Sequence, residues 1–75
     1  MSAPDQPMSA VEIAIRRRML ARLYDEIARF RVEASIKTAQ GLEVIAGDHA
    51  RTAGSLLREA EALAASLPAE EGGPR

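Results

Sequence analysis

Apolar and polar positions follow helical spacing over most of the chain, most regularly over residues 42–67. Leu42, Ala46, His49, Ala53, Leu56, Ala60, Leu63 and Leu67 succeed one another at steps of four and three, which places them on one side of an α-helix. Glu43, Asp48, Arg51, Arg58, Glu59 and Glu61 fall off that line, on the flanks and back, as a half-buried helix requires. The seam is built mostly of Leu and Ala with a single His, so it is narrow and suits close approach by a second helix.

A longer helix is predicted over residues 9–40, where no Gly or Pro interrupts the pattern; it would run for about 45 Å at 1.5 Å per residue. Its start is marked by Ser9-Ala10-Val11-Glu12, a capping box in which the Ser9 hydroxyl and the Glu12 carboxylate each accept the other residue's amide N–H. Met8 and Ile13 are placed for a hydrophobic staple over the same turn. The main stripe is Leu20, Leu23, Ile27, Phe30 and Ala34, with Ile13 and Tyr24 at one edge. Glu12–Arg16, Arg22–Glu26, Asp25–Arg29 and Glu33–Lys37 have ion-pair spacing, each pair worth about 0.2–0.5 kcal/mol. Val11, Ile15, Val32 and Ile36 lie off the stripe, and one partner helix cannot cover both sets, which implies more than one neighbour.

Gly41 is the expected break, since glycine adopts the left-handed conformation that ends helices and Lys37 complements the dipole in the last turn. A rival break at Gly47-Asp48 would let Asp48 cap a helix beginning at His49, and a third arrangement is one rod over residues 9–66. The two stripes lose phase at Gly41, which favours the first. Residues 1–8 carry Pro4 and Pro7 and are expected to be a flexible lead. Pro68 ends the second helix and residues 68–75 are expected to be a disordered tail.

Composition turns this hairpin into an expectation of association. With 75 residues the chain is one small domain, and Cys 0 and His 1 remove disulfides and nearly exclude an all-protein metal cage. Chains this small usually need such a staple or oligomerisation to bury enough apolar surface, so oligomerisation is what is left. An aromatic content of 3% argues against a β-sandwich or barrel. No apolar run reaches the roughly 18 residues that span a bilayer, and no basic-then-apolar leader opens the chain; a soluble, cytoplasmic protein is expected.

Charge supports pairing of the two helices. Residues 9–40 hold seven basic side chains (Arg16, Arg17, Arg18, Arg22, Arg29, Arg31, Lys37) against four acidic (Glu12, Asp25, Glu26, Glu33), a balance of +3. Residues 42–67 hold two basic (Arg51, Arg58) against four acidic (Glu43, Asp48, Glu59, Glu61), a balance of −2. Opposite signs bias helix 1 toward helix 2.

Candidate chemistry is sparse. Arg16-Arg17-Arg18 point about 100° apart on a helix and make no single face. Arg18, Arg22 and Arg29 do share one, interrupted by Asp25 and Glu26, and a nucleic-acid-associated regulator acting through that face is the alternative reading. His49 sits in the seam without the further ligands a metal needs or the nucleophile a base needs; packing with a hydrogen-bond partner is its expected role, and a pH switch the next. Tyr24 and Phe30 are expected in the core, with the Tyr24 hydroxyl at its edge. Gly47, Ala50 and Gly54 share one flank of helix 2 and would permit a close crossing. No phosphate loop, catalytic triad or cysteine metal spacing occurs, so no catalysis, cofactor or metal is expected.

These readings converge on an all-α antiparallel hairpin, helices 9–40 and 42–67, completed by self-association, most simply as a homodimer forming a four-helix bundle. The expected function is a small protein–protein interaction module, an adaptor, chaperone or accessory subunit, that grips a helical partner through apolar faces. Leu20, Leu23, Ile27 and Phe30, with Leu56, Leu63 and Leu67, are the expected contact residues, and the same side chains must also serve the hairpin.

Overall fold

The structure, a computed structural model, describes residues 8–68. The expected lead over residues 1–7 and tail over residues 69–75 lie outside the described residues. Two helices, α1 (Ala10–Ala39) and α2 (Glu43–Ala65), pack against each other as a hairpin, and no strand occurs among the described residues.

Local chemistry sets each end. Ser9 is the N-cap of α1 with an extended backbone; its Oγ accepts the Glu12 N–H at 3.1 Å while Glu12 Oε1 accepts the Ser9 N–H at 3.2 Å. Both arms of the capping box are therefore present. At the other end Gln40 is the C-cap and Gly41 takes φ 80, the left-handed region that glycine enters without a Cβ penalty. The Gly41 N–H reaches the Thr38 carbonyl at 3.0 Å and the Leu42 N–H reaches Lys37 at 2.8 Å, the paired bonds of a Schellman motif. α2 runs unbroken through Gly47 and Asp48, so the chain turns at Gly41 and neither the later break nor the single rod is formed. Asp48 pairs instead with Arg51, one turn on. At the end of α2 the Ser66 hydroxyl donates to the Leu63 carbonyl at 2.6 Å.

Ile27 at 3% exposure, Ala53 at 3% and Ala60 at 0% form the centre of the interface, with Leu20, Leu23, Phe30, Leu56 and Leu57 packed partly buried around them. Ala46 is buried as well. Ala46, Ala53 and Ala60 recur every seven residues, so α2 presents a column of methyl groups, and a residue this small lets a neighbouring helix approach closely.

Three expectations need correction. Tyr24, expected in the core with its hydroxyl at the edge, is 46% exposed and stands outside the core cluster. Leu42 leaves the seam and is 43% exposed, because its amide is engaged in closing α1 and it stands as the N-cap of α2, outside the first helical turn. The four expected i,i+4 ion pairs do not form: among the described residues the ion pair is Asp48–Arg51. Glu12 has turned back to its cap. For exposed pairs such as Asp25–Arg29 the attraction in water hardly exceeds the entropy lost in holding two long side chains together. The α1 seam is also longer than its apolar letters. Arg16 and Lys37 extend it at both ends and are half-buried, an arrangement in which aliphatic stems cover apolar surface while the charges stay wet.

Candidate interaction surface

The seven expected contact residues all lie on the facing seams. Ile27 is buried; Leu20, Leu23, Phe30, Leu56, Leu63 and Leu67 are half-buried. Among the described residues no large side chain is fully buried, so the seam residues retain apolar area on the rims of the hairpin. The open end shows this directly: Met8 and Ile13 line a shallow groove with Ser66, Leu67 and Pro68, so the staple positions also face the end of α2.

The hairpin has two unlike sides. On one, Arg17 lines a groove with Leu20, Ala64 and Leu67. Helical spacing continues this side through Tyr24, Ala28 and Arg31 on α1 and through Ala50, Gly54 and Leu57 on α2. On the other, Met19, Arg22, Leu23 and Glu26 line a groove with Glu59, and Glu12 and Glu33 fall on the same line of α1 at seven-residue spacing. The first side sets small and apolar residues among the arginines Arg17 and Arg31, with the Arg58 guanidinium beside Gly54; the second mixes Arg22 with carboxylates from both helices.

Apolar surface also remains away from both seams. Val11, Ile15, Val32 and Ile36 are exposed, at 68%, 54%, 57% and 40%. Met19, Val44 and Ile45, which the pattern does not single out, are exposed as well, as is Leu42. Five of these residues fall within residues 32–45, the stretch that rounds the turn. Leu57 is a further core neighbour that the strict seam omits; its spacing of four from Ala53 and three from Ala60 is the signal that places it there.

The other candidate groups are placed as follows. His49 is half-buried, with its ring 5.7 Å from Phe30. Arg18, Arg22 and Arg29 are exposed on the outer flank of α1, with Glu26 and Glu59 beside Arg22. A Cβ on Gly47 would meet only the tip of Arg51 at 3.7 Å, and one on Gly54 only the tip of Arg58 at 4.0 Å, so the hairpin itself has no need of glycine at either position. Among the described residues no group of three His, Asp or Glu side chains could hold a metal ion, and no helix is long and apolar enough to cross a membrane.

What the fold defines is a two-helix hairpin with an incompletely covered apolar interface. Comparison with protein-family models, with curated proteins and with solved structures finds no match to this chain.

Proposed function

We propose that the protein is a small helical protein–protein interaction module, an adaptor, chaperone or accessory subunit without catalytic chemistry of its own, that works as a homodimer in a four-helix bundle. The observation that carries this is the state of its apolar residues. The core is centred on one isoleucine and a column of alanines, while Val11, Val32 and Val44 stand more than half exposed. Burial is worth roughly 25 cal/mol per Å² of apolar surface, so a second helix pair laid on this hairpin gains stability that the isolated chain lacks. The apolar residues rounding the turn then remain for a helical partner. Light scattering combined with circular dichroism on the purified chain tests the reading. A helical dimer is the expected result. A helical monomer that also fails to recover any helical partner would overturn it.

The competing reading is a polyanion-binding regulator using Arg18, Arg22 and Arg29. It is supported by the exposure of all three guanidinium groups, none in an ion pair among the described residues. Salt-dependent retention on heparin that is lost when the three are changed to Glu favours it, and indifference to polyanions sinks it.

A further inference from the structure

We propose that a second copy of the chain packs antiparallel on the outer face of α1, about a two-fold axis that passes between Leu23 and Tyr24. This rests on the dimeric reading above and deepens it: the four helices stand side by side, with the two copies of α1 at the centre and an α2 on either side.

The outer face of α1 is a second seam. Val11, Ile15, Arg18, Arg22, Asp25, Arg29, Val32 and Ile36 succeed one another at alternating steps of four and three, the spacing that lets two helices stay in register along their length. All of them are exposed in the hairpin, because α1 turns its opposite face, with Leu20, Leu23, Ile27 and Phe30, to α2. This seam is apolar at its two ends and charged between them. Ile15 and Val32 are 17 residues apart, about 25 Å along the helix. A surface that covers both ends must carry apolar groups at that separation with polar groups between.

α1 itself, reversed, is such a surface. Turned about the point between Leu23 and Tyr24, the seam falls on itself: Val11 meets Ile36 of the other copy, Ile15 meets Val32, Arg18 meets Arg29 and Arg22 meets Asp25. A two-fold axis makes every such contact twice. Apolar layers therefore close both ends, and an Arg22–Asp25 pair stands on each side of the axis.

The remaining charges are consistent with this order. Each copy brings Arg18, Arg22 and Arg29 and, against them, Asp25, Glu26 and Glu33; none of the six is in an ion pair among the described residues. Arg22 also lines the groove with Glu26 and Glu59, but closes no bridge there. Where Arg18 meets Arg29 of the other copy, Asp25, Glu26 and Glu33 lie within about one turn of that Arg29, so the assembled face is neutral. A parallel pair would set Arg18, Arg22, Asp25 and Arg29 each against its own copy, like charge on like at every charged layer.

The area sets the strength. Residues 11–36 span about 38 Å, and a contact one helix wide, about 10 Å, covers about 400 Å² per copy or about 800 Å² in all. That is the size of a weak, reversible association. Leu42, Val44 and Ile45 at the turn stay uncovered for a partner.

The test reads face and register on the full chain. Sedimentation equilibrium over a concentration series is expected to show a reversible dimer for the natural chain. Val32 and Val44 are both exposed in the hairpin, but only Val32 lies on the proposed face. Val32→Arg is expected to raise the dissociation constant by more than about tenfold, since the symmetry counts the change twice, and to keep its helical circular dichroism. Val44→Arg is expected to leave the constant within about twofold. Register is read with cysteine, of which the chain has none. In a dimer of Ile15→Cys alone, or of Val32→Cys alone, the two thiols are about 25 Å apart, beyond a short bis-maleimide, whereas a mixture of the two variants sets one thiol beside the other. Covalent dimers are expected from the mixture and not from either variant alone. Equal yields from all three samples, or none from the mixture, overturn the register. A dimer indifferent to Val32→Arg overturns the face while leaving self-association intact. A natural chain that stays monomeric overturns both this inference and the dimer in the proposed function, which would then rest on the partner surface at the turn.

Discussion

The ring of Phe30 in α1 lies 5.7 Å from the ring of His49 in α2, the two planes tilted by 44°. The contact ties the largest apolar side chain of one seam to the one titratable group of the other, near the turn. Tilted aromatic pairs at this separation interact by about 0.5–1.5 kcal/mol beyond area burial. A double-mutant cycle of Phe30→Leu and His49→Ala, followed by urea unfolding, is expected to give a coupling energy in that range. Strictly additive losses would show that the rings are neighbours without an interaction of their own.

The turn offers a cleaner case. A Cβ on Gly41 meets nothing within 4 Å, yet the residue holds φ 80. Gly41→Ala is therefore expected to destabilise the hairpin by about 1–2 kcal/mol through backbone conformation alone. Asn at this position, which tolerates the left-handed region, is expected to lose less. Equal losses for Ala and Asn in thermal unfolding would contradict this assignment.

Ala60 is fully buried against α1. Its neighbours along the seam are leucines, and the pattern alone makes Ala60→Leu look harmless. The packing says otherwise: added methylenes in a closed contact cost about 1–3 kcal/mol. Denaturant midpoints for Ala60→Leu are expected to fall, whereas Ala62→Leu, at an exposed position, is expected to change stability little.

At the start of α1 both arms of the capping box are closed. Ser9→Ala is expected to cost about 1 kcal/mol. The loss should appear first as faster amide exchange over residues 10–13, since the cap secures the first turn and not the hairpin interface.

Much of this architecture is legible in the residues because local rules and long-range packing agree. Spacings of three and four mark both helices, and Gly41 stands where the stripes lose phase. The heptad-spaced line of α2 is read correctly from Ala46 onward, because an alanine–leucine seam has no other use in a small chain. Leu42 defeats the pattern: its spacing belongs to the seam, but the turn claims its amide first. Arg16 and Lys37 escape notice because a charged letter conceals an apolar stem. Leu57 escapes because a strict alternation of three and four admits one residue per turn and the real interface is wider. The expected ion pairs fail for a different reason, since correct spacing is a geometric permission with little free energy behind it. The candidate site is harder to read than the fold. Five of the seven contact residues named from the pattern, Leu20, Leu23, Ile27, Phe30 and Leu56, belong to the core of the hairpin, and what surface is left over emerges only when the helices are set against each other.

The repeat of Ala46, Ala53 and Ala60 also bears on alignment. Alanines spaced at equal intervals act like the teeth of a ratchet: displacing α2 along α1 by one interval sets methyl groups where methyl groups stood before, so the column by itself does not distinguish one setting from the next. Within the chain, the tight connection at Gly41 removes that freedom by fixing where counting begins. A chain severed at the turn would lose this reference, and the offset of its halves would then rest on the unlike residues of α1, Leu20, Ile27 and Ala34 at the same seven-residue spacing, and on the seat of Phe30 against His49.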